Sequence, residues 1–169
     1  MGKPVSLAHG HSYLFQSPPE ALIPISPYLP KDKVIWECAC GKGNLSRRLE
    51  ELDYTVIASD ILTGSDYLTW QPPMDWDIAV TNPPYTIKDK FLTRAYLLGK
   101  PFAFLLPITA LEGKKRQALY RNYGLELVLF DKRINFEVPS GKGSTSWFAT
   151  AWFTWGLNIG RDMTFVHME

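Results

Sequence analysis

With 169 residues, 46% of them hydrophobic and 14% aromatic, the chain is long enough to bury one sizeable core, and residues 1–169 are expected to form a single domain. A net charge of +1 points to no polyanion partner by itself, and no apolar run reaches the roughly 18 residues that would cross a bilayer. The N-terminal stretch lacks a basic region followed by an apolar run and a cleavage site, so the expected location is cytoplasmic.

The first thirty residues are rich in proline and read as irregular. VIWECAC (34–40) reads as a short strand, and NLSRRLEEL (44–52) as a helix, because Leu45, Leu49 and Leu52 recur at helical spacing. TVIAS (55–59) is a second strand. Further strands are expected at DIAV (77–80), FAFLLP (102–107), LELVLF (125–130) and the aromatic run SWFATAWFTW (146–155). Helices are expected at 89–98 and 112–123, with irregular connections at 62–74 and 136–146. Strands alternating with helices predict an α/β fold, a mostly parallel sheet covered on both faces, as in Rossmann-like domains. Alternate members of the run Trp147, Phe148, Trp152, Phe153 and Trp155 belong to opposite sheet faces and read as core.

Cys38 and Cys40 are the only cysteines. As alternate residues of one strand they point the same way and are too close along the chain for an unstrained disulfide, so both read as reduced packing residues. With no second pair, and with His9, His11 and His167 near the termini, no metal site is expected. Cations crowd into 113–143, where Lys114, Lys115, Arg116, Arg121, Lys132, Arg133 and Lys142 face only Glu126, Asp131 and Glu137. That segment is either a phosphate-tracking surface or an ordinary solvated helix face. Lys114, Arg121, Lys132, Arg133 and Lys142 are the candidate nucleic-acid contacts, and the loop 136–146 either closes over a strand or stays disordered.

In an open parallel sheet, ligands bind beyond the carboxyl ends of the strands. The first strand ends in Glu37, and Gly41-Lys42-Gly43 then opens a helix, offering backbone amides and close approach to a ligand. The second ends at Asp60, where a carboxylate can accept both hydroxyls of a ribose. The third glycine of a dinucleotide fingerprint is missing, and Glu37 would repel a pyrophosphate but suits a cationic ligand. S-adenosylmethionine carries a ribose, an ammonium and a sulfonium. The strand 77–80 runs into Asn82-Pro83-Pro84-Tyr85, a rigid turn in which neither proline has an N–H. The Asn82 side-chain oxygen and the Pro83 carbonyl are then acceptors for a planar exocyclic amine, and Tyr85 offers a face on which an extruded base can stack.

In this order, FQSPPEAL, ECACGKG, ASD and TNPPY resemble the amino-methyltransferases, specifically the short phage and prophage type of N(6)-adenine DNA methyltransferase. The resemblance runs from Phe15 to Trp155. It implies a seven-stranded S-adenosylmethionine-dependent fold of class I with the last strand antiparallel, and no separate target-recognition domain. It further implies that Ser17 and Pro18 border the methionine end of the cofactor, and that Glu37, Ala39, Gly41 and Gly43 line its loop. Asp60 would hold the ribose, Ile61 would also line the cofactor, and Asp66 and Tyr67, matching the family's Asp-Phe pair, would meet its adenine, while Asn82, Pro83, Pro84 and Tyr85 would form the catalytic motif, with Asn82 touching the cofactor too. Ser17, Cys38 and Lys42 stand where Thr, Pro and Asp are common in that family. The expected activity is methyl transfer to adenine, in DNA before structured RNA such as tRNA, while enzymes that methylate a protein glutamine amide use the same Asn-Pro-Pro-Tyr motif. No membrane or metal partner is expected, and the oligomeric state stays open.

Overall fold

The computed structural model describes residues 16–137 and 148–169. In chain order the strands are β1 (Val34–Glu37), β2 (Thr55–Ala58), β3 (Ile78–Thr81), β4 (Phe102–Pro107), β5 (Glu126–Phe130), β6 (Thr150–Trp155) and β7 (Met163–Val166). The helices are α1 (Asn44–Glu51), α2 (Lys88–Leu98) and α3 (Lys114–Tyr123). All seven strands join one sheet in the order β2-β1-β3-β4-β6-β5-β7.

Strands β1 to β4 pair in parallel, as their helical connections require, and β5 pairs in parallel with β7. The aromatic strand read as the last one, β6, is antiparallel to both of its neighbours, β4 and β5. The seventh strand was not read in the sequence. β7 is short, half-exposed and at the sheet edge, so its apolar residues form no buried run.

Alternation along each strand divides the core in two. In β4, Ala103 and Leu105 enter one layer, while Phe102, Phe104 and Leu106 enter the other. The first layer is closed by Leu45 and Leu49 of α1 and by Ala21, Leu22 and Ile25. These last residues come from the proline-rich segment expected to be irregular, which instead makes two 3-10 turns, Pro19–Leu22 and Ser26–Tyr28. Pro19 and Pro27 have φ already set for such turns. The Trp152 indole N–H donates to the Ala21 carbonyl at 2.8 Å and pins the segment to β6. The second layer is covered by Phe91, Leu92 and Ala95 of α2, with α3 beside it, and holds the aromatic group Trp36, Tyr67, Trp76, Phe102 and Phe104.

β1 stops at Glu37 rather than continuing to residue 40. The chain then turns, and the Cys40 N–H bonds to the Ser59 carbonyl at 3.0 Å. The two cysteines therefore do not share a strand face. Cys38 is buried in the aromatic layer, and Cys40 is half-exposed beyond the strand end, both as free thiols. No helix among the described residues is long and apolar enough to cross a membrane.

Candidate functional site

β1 lies between β2 and β3 in the sheet, so the loop leaving β1 toward β2 and the loop leaving β3 toward β4 depart in opposite directions. Such a switch point opens a crevice at the carboxyl ends of the strands. A cleft lies there, lined by Gln16, Ser17, Glu37, Ala39, Cys40, Gly41, Asn44, Leu45, Asn82 and Pro84.

The loop Cys38–Gly43 forms one wall. Gly41 has φ +53° and Gly43 has φ +88°, left-handed conformations that favour glycine. A Cβ on Gly41 would also lie 2.7 Å from Gln16 Nε2. The loop is held from both sides. The Gly41 N–H donates to Asp60 Oδ2 at 2.9 Å, and the Lys42 N–H donates to Gln16 Oε1 at 2.9 Å. Gln16 is in turn paired with Glu137 by two backbone hydrogen bonds, and the Glu137 carboxylate accepts from Asn44 Nδ2 at 3.1 Å.

Asp60 is 1% exposed, and both its carboxylate oxygens are already used, Oδ2 by Gly41 and Oδ1 by the Leu62 N–H at 2.8 Å. Its visible work is to cap the 3-10 turn Ile61–Thr63 and to brace the glycine loop. Glu37 is 2% exposed and accepts from the Ala39 N–H at 3.1 Å. Burial pushes its carboxyl up to about 7, opposed by hydrogen bonds from Thr81 and Ala39 and reinforced by the Asp60 charge. A half-ionised acid walled off from water favours a ligand bearing positive charge. The Cys40 thiol is also pushed up, to about 11, chiefly by burial, so it is not a nucleophile at neutral pH.

Asn82 forms the opposite wall. Its Nδ2 donates to Ser17 Oγ at 2.9 Å, and Ser17 is itself 4% exposed. The Asn82 Oδ1 is enclosed and has no hydrogen-bond partner among the described residues. Pro83 and Pro84 are buried, and the 3-10 turn Tyr85–Ile87 follows directly. The Tyr85 ring is not freely displayed as the sequence led one to expect. It meets Phe136 and Phe148 edge-on, with ring centroids 6.4 and 5.9 Å away, and its hydroxyl is enclosed without a partner. A minor part of the residue remains accessible, and most of it is covered by these neighbours.

Of the residues singled out from the sequence, Ser17, Glu37, Ala39, Gly41, Asn82 and Pro84 meet in the cleft. Pro18 and Pro83 adjoin it in the chain, and Gly43 caps α1 beside it. Asp60, Ile61 and Asp66 are outside the lining, and the Asp66 carboxylate accepts from the Leu68 N–H at 3.0 Å. Tyr67, expected beside a cofactor adenine, is instead a core residue. It is 2% exposed and stacked on Phe91, 4.6 Å between centroids, because the loop folds its ring under Trp36.

The basic residues divide by position. α3 links the carboxyl end of β4 to the start of β5, so exposed Lys114 stands at the cleft end and Arg121 roughly 10 Å further along the helix axis, toward the opposite end. Lys132 and Arg133 are exposed just beyond the carboxyl end of β5, on the cleft edge. Lys142 lies outside the described residues. Arg116, in the same run, is not a free cation, since it pairs with Asp89 at 2.5 Å. Sequence reading missed Gln16, Cys40, Asn44 and Leu45. The signal for Gln16 was its place just before Ser17-Pro18, and for Asn44 its place at a helix start facing the glycine loop.

No protein-family model matches the sequence, and no curated protein matches it either. Solved structures do match. A Listeria monocytogenes protein assigned to the class I S-adenosylmethionine-dependent methyltransferases is 13% identical with a TM-score of 0.61, covering 97% of this chain and 67% of that one. The methyltransferase subunit of a type I restriction-modification system from Streptococcus thermophilus is 15% identical with a TM-score of 0.55, covering 95% of this chain and 50% of its own. A type I restriction enzyme modification subunit from Vibrio vulnificus is 12% identical with a TM-score of 0.53, covering 87% and 45%. The chain thus spans about half the length of each restriction-modification subunit. The architecture is that of the class I methyltransferases, a seven-stranded mixed sheet flanked by helices.

Proposed function

We propose that this chain transfers a methyl group from S-adenosylmethionine to the exocyclic amine of adenine in nucleic acid, with DNA as the preferred substrate. One observation carries the reading: Asn82 Oδ1 is an enclosed acceptor without a partner, at the wall of a cleft whose other wall is a glycine loop. An unmade hydrogen bond of this kind is costly in an empty protein and becomes useful when a donor arrives. A planar amino group has two N–H donors and a lone pair delocalised into its ring. Bonds from those protons to Asn82 Oδ1 and to the Pro83 carbonyl return electron density to the nitrogen as it becomes a nucleophile.

The cleft residues fit the cofactor. Glu37 brings a carboxylate suited to its positive charge, and Gly41 lets the backbone come close. Gln16 and Asn44 add further polar side chains to the lining. When bound, the cofactor supplies an electrophilic methyl group on a sulfonium sulfur. Tyr85 contributes the accessible part of its ring to an extruded base, with Phe136 and Phe148 holding it edge-on. The chain acts as a single catalytic domain.

The test is transfer of a radiolabelled methyl group to DNA, to tRNA and to a ribosomal release factor in parallel, followed by nucleoside analysis. The expected product is labelled N(6)-methyldeoxyadenosine. Label in tRNA alone would shift the substrate to RNA, and label in protein alone would replace adenine by a glutamine amide.

A further inference from the structure

A second groove opens between the first half of α2 and the start of α3. It is lined by Leu68, Asp89, Lys90, Thr93, Arg94 and Lys115. Asp89 is its one acid, and that charge is taken by Arg116, whose Nη1 donates to Asp89 Oδ1 at 2.5 Å. The pair ties α2 to α3 and leaves Lys90, Arg94 and Lys115 as the uncompensated charges of the lining. Lys90 and Lys115 are exposed. Arg94 is half-buried, with its Nε enclosed and lacking any partner among the described residues. A guanidinium nitrogen sealed without an acceptor calls for an anion.

The groove's place in the fold says which anion. α2 begins immediately after the turn Tyr85–Ile87, so Lys90 stands within two helical turns of the Asn82-Pro83-Pro84-Tyr85 wall. Lys115 begins α3 at the same, carboxyl end of the sheet. Two lysines act as point charges, one arginine as a fork, and Leu68 is the apolar residue of the lining. Three cations along one open groove suit a chain of phosphates better than a single ion, which would need an enclosed site. We propose that this groove carries the phosphodiester backbone of the target strand, with Lys90, Arg94 and Lys115 on successive phosphates next to the nucleotide presented to Asn82. The inference rests on the nucleic-acid reading above and adds to it a strand path distinct from Lys132 and Arg133.

Fluorescence anisotropy of a labelled adenine-containing single-stranded oligodeoxynucleotide at several salt concentrations tests it. The proteins are wild type, Lys90→Gln/Lys115→Gln, and Arg94→Gln. Each lost phosphate contact lowers the slope of log affinity against log salt by about 0.7, so the double variant loses about 1.4 and Arg94→Gln about 0.7. The loss is the same for every base sequence. Unchanged affinity for S-adenosylhomocysteine shows that the variants are folded, and the double variant, which alters only exposed side chains, keeps the test valid if Arg94→Gln does not fold. Superimposable salt curves for a wild type that binds DNA would overturn the groove and leave the nucleic-acid reading intact. A wild type that binds neither DNA nor RNA, or that binds poly-glutamate with an equal salt slope, would overturn both.

Discussion

Ser17 Oγ accepts a hydrogen bond from Asn82 Nδ2 at 2.9 Å, joining a residue just outside the first 3-10 turn to the end of β3. The bond fixes which way the amide faces. With its nitrogen on Ser17, Asn82 turns Oδ1 away as a free acceptor. Ser17 is thereby a positioning residue, and Ser17→Ala is expected to lower kcat about tenfold while KM for the cofactor changes little. Ser17→Thr keeps the hydroxyl and should restore the rate. Steady-state kinetics on all three proteins decide the matter, and a rise in cofactor KM alone would place Ser17 on the cofactor instead.

Asn82→Ala removes the acceptor itself. The expected outcome is a loss of about 100- to 1,000-fold in kcat with cofactor affinity nearly kept, the scale seen when a prepositioned transition-state partner is deleted. Calorimetric titration with S-adenosylhomocysteine gives the affinity. Equal losses in binding and turnover would show that Asn82 serves the cofactor rather than the target.

Asp60→Ala is expected to do more than weaken a ribose contact. It strips the carboxylate from the Gly41 and Leu62 amides, two bonds of which each is worth about 1.5 to 3 kcal/mol when one partner is charged. Stability and cofactor affinity should fall together, as read by thermal unfolding and calorimetry. A variant that loses affinity but unfolds at the wild-type temperature would show that the carboxylate meets the ligand and not the loop.

Glu37 gives a pH dependence with a definite sign. Its folded carboxyl is raised from 4.5 to about 7, so between those values the folded protein holds a proton that the unfolded chain has lost. Stability from this group is full below about 4.5 and falls as pH rises through about 7, by on the order of 2 to 3 kcal/mol. Glu37→Gln removes that loss and should unfold at a higher temperature than wild type at pH 8, without its ligand. The same variant should bind the cofactor more weakly, since the charge facing the cleft is gone. Melting curves at pH 5 and pH 8 are the measurement, and parallel curves for both proteins would contradict the burial argument.

Tyr67→Phe removes an enclosed hydroxyl that has no partner. Stability is expected to hold or to rise by up to about 1 kcal/mol, with cofactor affinity unchanged. A marked fall in affinity would return Tyr67 to the cofactor pocket.

The order of the site segments was legible because a parallel sheet brings its strand ends to one edge. ECACGKG, ASD and TNPPY could be placed there without coordinates, and Glu37, Gly41 and Asn82 do meet in the cleft. What was not legible depends on packing between distant segments. Tyr67 reads as a loop aromatic until Phe91 and Trp36 are seen around it. Asp60 reads as a free carboxylate until the Gly41 and Leu62 amides reach it. Gln16 has only its place before Ser17-Pro18 to mark it, yet it is 6% exposed and holds the loop. The edge strand β7 was missed because half its residues face solvent and no alternation of buried residues marks it strongly.

The bridge between Gln16 and Glu137 has a consequence for how a new chain acquires its site. The glycine loop is braced by Gln16, and Gln16 is held by Glu137, made much later. On the ribosome, the first strands can pair and α1 can pack long before Glu137 is synthesised, while Gln16 waits for its partner. The two must then find each other across a long loop, with the entropy cost such closures carry. A ligand that needs the braced loop therefore has little to hold until translation has passed residue 137. The brace thus forms later than the strands β1 to β5, whose ends frame the cleft.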